Sequence, residues 1–219
     1  MGEAHDTFRE CIGDAAWREL LNVGTLRSYR PGTFILRQGE AAGFVLALEN
    51  GRVKLVATAA DGAQLLLTVR GGGHLIGELA DEGHGRRNAS VIAIDRCTAR
   101  YLPAPVFERF LALQDLQKAF SRYVVGKFDQ TVERQVDLAN RRSGRRIAKL
   151  LLDVVRLAPA GSPDPHRVPF TQEELSASLG MARSTIAEQL GAFRQAGALG
   201  PGPALIVTDV DCLTTFAKA

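Results

Sequence analysis

The sequence is poor in cysteine and has no long apolar run, and both shortages exclude classes of protein. Its only cysteines, Cys11, Cys97 and Cys212, lie too far apart for a disulfide framework, a zinc knuckle or a four-cysteine iron–sulfur site. No run of about 18 apolar residues occurs, as a membrane span would require, and the start does not resemble a secretion signal. We therefore expect a cytoplasmic protein with no membrane partner.

Clusters of catalytic or metal-binding side chains are also missing from the pattern. No nucleophile lies at a recognisable spacing from a base and an orienting group, so no catalytic residue is predicted. His74 and His84 stand in glycine-rich segments, where we expect solvated side chains rather than metal ligands. The sequence thus predicts neither an enzyme nor a metal site.

Length and charge favour two ordinary domains. The chain has 219 residues, 46% of them hydrophobic, and a net charge of +3. That excess falls entirely after residue 140, where there are ten basic and seven acidic residues, against seventeen of each before it. Such a modest bias favours contact with phosphates without requiring it. Arg141, Arg142, Arg145 and Arg146 mark the boundary, either as a solvated hinge or as DNA contacts.

The first hundred residues have the pattern of a β domain. Short apolar and β-branched segments alternate with glycines, and Asn50-Gly51 and Asp61-Gly62 are strong hairpin signals. The predicted strands are 33–36, 44–48, 53–58, 64–69, 91–94 and 98–102. A small barrel or β-roll is the natural architecture for residues 1–104.

Between residues 105 and 140 the spacing of apolar residues becomes helical. One set of side chains recurs at alternating steps of three and four residues, as in a coiled-coil seam. Its members are Leu113, Gln117, Phe120, Val124, Phe128, Thr131, Gln135 and Leu138. We expect a long helix that forms a dimer axis; the alternative is a long helix that lies on its own β domain.

Residues 170–190 contain the signals of two short helices joined by a turn. Thr171 and Glu174 are spaced as a capping box at the start of the first helix. Gly180 supplies the left-handed conformation that ends it, and Ile186 and Leu190 would bury the second helix. This pattern is typical of a helix-turn-helix; the alternative is an ordinary helix hairpin within a core.

In a helix-turn-helix, the early residues of the second helix face base edges in the major groove. Arg183 is the residue that we most expect to contact a base, because its forked guanidinium group fits the two acceptors of guanine. Ala182 stands where Ser, Thr, Asp or Asn would normally cap this helix, a loss of about 1 kcal/mol. A Gly- and Pro-rich turn and a β-branched run at 198–209 predict a wing. The predicted DNA contacts are Thr171, Arg183, Ser184, Thr185, Glu188 and Gln189.

A β-roll, a dimerisation helix at 105–140 and a winged helix-turn-helix at 141–219, in this order, resemble the Crp/Fnr family of bacterial transcription regulators. The resemblance implies an α+β fold whose domain at 1–104 is a jelly-roll-like cyclic-nucleotide-binding domain. It also implies a homodimer that binds palindromic double-stranded DNA, contacts RNA polymerase and responds to a small anionic effector.

Two short segments match the phosphate-binding cassette of that family. In cyclic-AMP-binding relatives, a Gly-Glu-Leu segment and a following Arg hold the ligand. Here the Glu78 carboxylate can accept the ribose hydroxyl, backbone N–H groups around Gly77 can cradle the phosphate, and Arg87 can neutralise it. Arg86 is the alternative phosphate ligand in a neighbouring register. The effector residues implied are Gly77, Glu78, Leu79, Ala80, Arg87, Asn88 and, on the long helix, Thr131.

Four positions depart from the family pattern. Asn88 stands where cyclic-AMP binders usually carry Ser or Thr, and Val132 stands where a Ser reaches the adenine of the other subunit. On the reading side, Ser184 and Glu188 occupy positions where many members have Glu and Arg. Because Glu188 would accept from cytosine N4, we expect a half-site distinct from the usual TGTGA.

The resulting hypothesis is a ligand-responsive transcription regulator with cyclic AMP as its favoured effector. Asn88 and Val132 motivate a first alternative, a regulator that needs no effector or responds to another ligand such as a cyclic dinucleotide. The second alternative belongs to a different class, a cyclic-nucleotide-binding module that controls a protein partner.

Overall fold

The computed structural model describes residues 7–60, 62, 64–81, 85–139, 143–159 and 161–218, with the backbone alone for 80, 81, 128, 129 and 131–139. A helix and a set of short strands come first. In chain order they are α1 (Phe8–Val23), β1 (Thr25–Tyr29), β2 (Phe34–Leu36), β3 (Phe44–Asn50), β4 (Val53–Thr58), β5 (Gln64–Arg70), β6 (Leu75–Ile76), α2 (Glu78–Asp81), β7 (Ser90–Ala93) and β8 (Cys97–Pro103).

The strands of this part form two four-stranded antiparallel sheets. One sheet has the order β1-β8-β3-β6 and the other β2-β7-β4-β5. Leu46 and Leu48 of the first sheet and Val53 and Val91 of the second belong to one buried cluster. The sheets therefore share a core, which confirms the expected β-roll.

β3 is apolar over five consecutive residues because both of its faces are covered. Leu46 and Leu48 point into the core between the sheets. Val45 and Ala47 point to the other side, where they join a second cluster that includes Phe8 of α1. Alternating side chains of a strand lie on opposite faces, so a strand between two apolar layers needs no polar positions.

The amino-terminal helix α1 was not expected from the sequence. Thr7 and Glu10 form a reciprocal capping box at its start, and Phe8, Trp17 and Leu20 are buried. Gly13 has φ 80° within the helix, and this break in helical geometry weakens the periodic signal. The two missed strands, β1 and β6, pair along the edges of the first sheet.

The single helix expected at 105–140 is wrong, because the chain turns between two helices. α3 (Ala104–Leu113) ends before Asp115, which has a φ of 51°, and α4 (Gln117–Ala139) follows. Asp is among the few residues that adopt this left-handed conformation readily. The turn lets both helices pack against α1, because the ring centroid of Phe8 lies 6.3 Å from that of Phe107 and 5.3 Å from that of Tyr123.

The first half of the expected coiled-coil seam is divided between two helices, and part of it packs within the chain itself. Phe120 packs against the rings of Phe8 and Phe107 of the same chain, and Val124 is buried. Leu113 belongs to α3 and is 74% exposed. The start of α4 thus lies on its own β domain, as in the alternative, and the dimer axis stays a prediction. The side chains of the later seam residues, Phe128, Thr131, Gln135 and Leu138, lie outside the described ones.

The carboxyl-terminal part is a winged helix built around one core. Its elements are α5 (Ser143–Arg156), β9 (Arg167–Val168), α6 (Gln172–Leu179), α7 (Arg183–Gln195), β10 (Leu205–Ile206) and α8 (Val210–Lys218). Strands β9 and β10 pair antiparallel, with Val168 opposite Leu205. The core side chains Ile147, Leu151, Leu175, Ile186, Leu190 and Phe193 are fully buried. α6 and α7 are the two helices expected at 170–190.

The hairpin β4–β5 joins the β-roll to the winged helix. Arg52 donates to both carboxylate oxygens of Asp95, at 2.6 and 2.9 Å, and to the carbonyl oxygen of Val154 at 2.7 Å. Val154 lies in the last turn of α5, where carbonyls lack partners within the helix. Val69 of β5 belongs to the winged-helix core, and Lys54 Nζ lies 3.7 Å from Glu174 Oε1. The two parts are thus packed together at this hairpin and at the residues beside it.

Candidate effector site and candidate nucleic-acid interface

Gly77 lies between β6 and α2, directly before the Glu78 carboxylate. Its φ is +90°, a conformation that side-chain-bearing residues rarely adopt. A Cβ atom at this position would lie 2.5 Å from Arg87 Nη1. Glycine is therefore needed both for the turn and for the close approach of the guanidinium group.

Arg87 is buried and its guanidinium group spans the start of this turn. Nη1 donates to the Gly77 carbonyl oxygen at 2.7 Å, and Nη2 donates to the Phe44 carbonyl oxygen at 2.9 Å. Its Cζ also lies 4.5 Å from the centroid of the Phe44 ring. The neighbouring Arg86 is exposed and donates to the Gly39 carbonyl oxygen instead. Of the two arginines, Arg87 is thus the one beside Gly77 and Glu78.

Lys127 of α4 is a residue of this site that sequence reasoning missed. Its ammonium group forms an ion pair with Glu78 and donates to the Leu75 carbonyl oxygen at 3.1 Å. Both Glu78 and Lys127 are buried, with 4% and 8% of their surface exposed. Burial lowers the pKa of Lys127, and the Glu78 carboxylate opposes that shift. A signal was available, because Lys127 precedes Thr131 by one helical turn.

Tyr123 contacts Lys127, and the buried His74 precedes Leu75, whose carbonyl oxygen Lys127 also contacts. Lys127 Nζ lies 4.4 Å from the Tyr123 ring centroid, and the Tyr123 hydroxyl accepts from the Leu75 N–H at 3.0 Å. Burial raises the pKa of Tyr123 and lowers that of His74 to about 3, so both groups are neutral near neutral pH. His74 Nδ1 lies 2.9 Å from the Gly71 carbonyl oxygen. The expectation of a solvated His74 is wrong; His84 lies outside the described residues.

The remaining effector residues implied by the resemblance lie around the same turn. Leu79 is half-buried in α2, and Asn88 is exposed directly after Arg87. Only the backbone of Ala80 and Thr131 is described, Ala80 within α2 and Thr131 within α4. The structure thus brings Gly77, Glu78 and Arg87 together and adds Lys127.

The local geometry of the helix-turn-helix follows the capping and turn signals of the sequence. Thr171 Oγ1 accepts from the Glu174 N–H at 3.1 Å, and Glu174 Oε2 accepts from the Thr171 N–H at 2.8 Å. Gly180 is left-handed, with φ 60° and ψ 39°. Ala182 begins α7 with no side-chain hydrogen bond. These residues set the angle at which α7 leaves the turn.

The predicted DNA contacts do not share one surface. Arg183, Ser184 and Glu188 are exposed on α7, as is Thr171 at the start of α6. Thr185 is half-buried. Gln189 packs over α5, since a Cβ at Gly144 would lie 2.6 Å from its Oε1.

Arg183 stands at the first position of α7 and forms an ion pair with Glu173 of α6. The contact of Glu173 with Arg183 was not predicted, since the sequence pattern gave Glu173 no role. A separate arginine supports the turn, because Arg146 Nη2 donates to the Leu179 carbonyl oxygen at 2.6 Å.

Neither a membrane-spanning helix nor a cluster of metal-binding side chains occurs in the ranges that the structure describes. No helix there is long and apolar enough to cross a bilayer. Within the same ranges, no three His, Cys, Asp or Glu side chains are grouped so that they could hold a metal ion. Cys11, Cys97 and Cys212 are free thiols.

Comparison with known proteins identifies both parts of the chain. Residues 26–114 match the model of the cyclic nucleotide-binding domain, and residues 145–216 match that of the Crp-like helix-turn-helix domain. The chain belongs to the Crp/Fnr family of transcription regulators. The family membership confirms the resemblance, the α+β fold class and a ligand-responsive DNA-binding regulator as the general function.

Individual members of the family are similar to this chain over most of their length. The chain is 25% identical over 191 residues to the "CRP-like cAMP-activated global transcriptional regulator" of Mycobacterium tuberculosis, covering 85% of each protein. It is 29% identical over 189 residues to the "Cyclic AMP receptor protein" of Thermus thermophilus, covering 80% of this chain and 81% of that one. A solved structure, the c-di-GMP-responsive global regulator of Xanthomonas campestris, has the same fold, with a TM-score of 0.68, 19% identity and coverage of 90% and 100%.

Proposed function

We propose that the chain acts as a homodimer that binds palindromic DNA through α7 and changes its DNA affinity when cyclic AMP binds beside Glu78 and Arg87. The exposed start of α7 carries this proposal. Arg183 and Ser184 project outward from a helix whose opposite face, through Ile186 and Leu190, is fully buried. In a helix-turn-helix this edge faces the bases.

Two-fold symmetry would match the protein to a palindrome, with reading helices one DNA turn apart, about 34–36 Å. α4 is the candidate for the dimer axis, since the apolar side chain of Val125 on this helix exposes 57% of its surface. RNA polymerase would be the further partner of such a regulator. The second copy of the chain and RNA polymerase are both partners that membership of the family implies.

The residues at the cassette fit a small anionic ligand with hydroxyl groups. Arg87 supplies a forked cation and Gly77 a turn with no side chain, which suits a phosphate. Glu78 supplies a buried acceptor for a ribose hydroxyl. The Mycobacterium and Thermus relatives are named for cyclic AMP, and this supports cyclic AMP as the effector here.

Lys127 and Thr131 would transmit effector binding to the dimer. Lys127 connects α4 to Glu78. A ligand hydroxyl that donates a hydrogen bond to the Glu78 carboxylate would therefore change a contact of α4 directly. Thr131 follows by one turn on the same helix. To act as a switch, the ligand must contact these groups differently in the two arrangements of the dimer, because equal affinity shifts nothing.

The first expected result concerns DNA binding by the parent protein. A duplex selected from random sequences should contain an inverted repeat, and its affinity should fall about a thousandfold or more between 50 and 200 mM salt. Fluorescence anisotropy at a series of salt concentrations measures this slope. A protein-interaction module would instead bind no duplex, or would show a flat salt dependence.

The second expected result concerns the effector. Isothermal titration of the parent with cyclic AMP should release or absorb heat, and Arg87→Leu should abolish it because the cation beside Gly77 is lost. Arg86→Leu is the matched control and should bind as the parent does, because Arg86 is exposed and turned toward Gly39. Thermal melts check that both variants fold. No heat with the parent, or equal heat with Arg87→Leu, would rule out this site for cyclic AMP.

A second candidate is a regulator that needs no nucleotide or responds to a cyclic dinucleotide. The contacts within the site favour it, because Glu78 is paired with Lys127 and Arg87 donates to two carbonyl oxygens of its own chain. The Xanthomonas regulator is named for c-di-GMP. Gel shifts with and without each nucleotide separate the candidates, since an effector-independent regulator has one DNA affinity throughout.

A further inference from the structure

The ion pair between Glu173 and Arg183 connects the two helices of the helix-turn-helix on its exposed side. Glu173 lies in the first turn of α6 and Arg183 is the first residue of α7. Arg183 Nη2 donates to Glu173 Oε1. Both side chains are largely exposed, at 72% for Arg183 and 70% for Glu173. The pair thus lies on the surface that the proposed function turns toward DNA.

A carboxylate at this place works against general DNA affinity. In a helix-turn-helix the first helix crosses the phosphate backbone, and phosphates repel a negative side chain. The neighbouring Glu174 is turned away, because its carboxylate accepts from the Thr171 cap and lies 3.7 Å from Lys54 of the β-roll. Glu173 instead extends toward α7.

We propose that Glu173 is a positioning residue that holds the Arg183 guanidinium for guanine readout; this inference rests on the proposed function. The Arg183 side chain is long and has many rotamers, whereas a bidentate contact with guanine needs one plane and one direction. A guanidinium group has five N–H donors in a fixed fork. With Nη2 engaged by Glu173, donors on the other edge of the fork remain for the base acceptors.

This arrangement makes a specific prediction about affinity and specificity. Glu173→Gln removes the negative charge and weakens the hold on Arg183. Affinity for a scrambled duplex should rise about twofold to fivefold, because one source of phosphate repulsion is lost in each subunit. Discrimination between the selected duplex and one with its contacted guanine replaced should fall about fivefold, since an exposed ion pair contributes up to about that factor.

The experiment uses the full chain and three duplexes: the selected one, the guanine-substituted one and a scrambled one. Asp211→Asn is the matched control, because Asp211 is exposed in α8 and its replacement changes the net charge equally. This control should leave the discrimination ratio unchanged. A double-mutant cycle with Arg183→Lys adds the decisive measurement, because Glu173→Gln should no longer alter discrimination once the fork is gone.

The possible failures are distinguishable. Discrimination that is equal in Glu173→Gln and Asp211→Asn would overturn the positioning role while leaving DNA binding intact. A loss of discrimination that persists in the Arg183→Lys background would also overturn it, because the effect would not pass through Arg183. Failure of the parent to select any duplex would instead contradict the proposed function itself.

Discussion

Replacing Lys127 with methionine should lower the free energy of unfolding by about 3–5 kcal/mol, as expected when a buried charge loses its partner. The methionine side chain fills a similar volume but leaves the Glu78 carboxylate, 4% exposed, without the ammonium group that it contacts. Equilibrium unfolding in urea, followed by circular dichroism, measures the loss. Lys118→Met, at an exposed position of α4, is the matched control and should be nearly silent.

The double variant Glu78→Gln with Lys127→Met makes this prediction sharper. Removing both charges also removes the penalty of burying an unpaired one, so most of the lost stability should return. If Lys127→Met alone is as stable as Lys118→Met, the pair is not held in a buried environment. A double variant no better than Lys127→Met would mean that the loss comes from packing of the lysine stem rather than from charge.

Replacing Arg183 with alanine should remove most of the sequence specificity of DNA binding. A good bidentate contact with guanine is worth about 1–3 kcal/mol of discrimination, and a palindrome contains it twice. Anisotropy titrations at one salt concentration, on the selected duplex and on its guanine-substituted form, measure the difference. The parent should separate the two duplexes strongly, and Arg183→Ala should bind both alike.

Arg183→Lys separates the shape of the side chain from its charge. Lysine keeps the attraction to phosphate but lacks the planar fork, so affinity for a scrambled duplex should stay near that of the parent while discrimination falls. Full discrimination by Arg183→Lys would show that charge alone matters here. Full discrimination by Arg183→Ala would move the reading role to other residues of α7, Ser184 or Glu188.

Local signals explain why the helix-turn-helix could be predicted closely from the sequence. The capping box of Thr171 and Glu174 and the left-handed Gly180 act within a few residues of each other, so their geometry depends little on the rest of the fold. Most strands of the β-roll were predicted for the same reason, since hairpin turns and apolar runs are local. The same reciprocal pair at Thr7 and Glu10 marks the start of α1, a helix that the sequence analysis did not predict.

Features that depend on packing could not be predicted from the sequence. The spacing of Phe120 and Val124 suits a partner helix in a dimer and a β domain of the same chain equally well, and the packing of Phe120 against Phe8 and Phe107 is visible only in the folded chain. The Glu78–Lys127 pair joins residues 49 positions apart. Lys127 does not differ from an ordinary exposed charge until α4 lies across the β-roll, and its position one helical turn before Thr131 is the only hint in the sequence.

The hairpin β4–β5 has a consequence for any attempt to separate the two halves of the molecule. A fragment that starts at residue 143 would lack the isopropyl group of Val69, which belongs to its core. It would also expose the Val154 carbonyl oxygen that Arg52 now covers. The β-roll supplies part of the core of the winged helix, so heat or denaturant should unfold both parts in a single step.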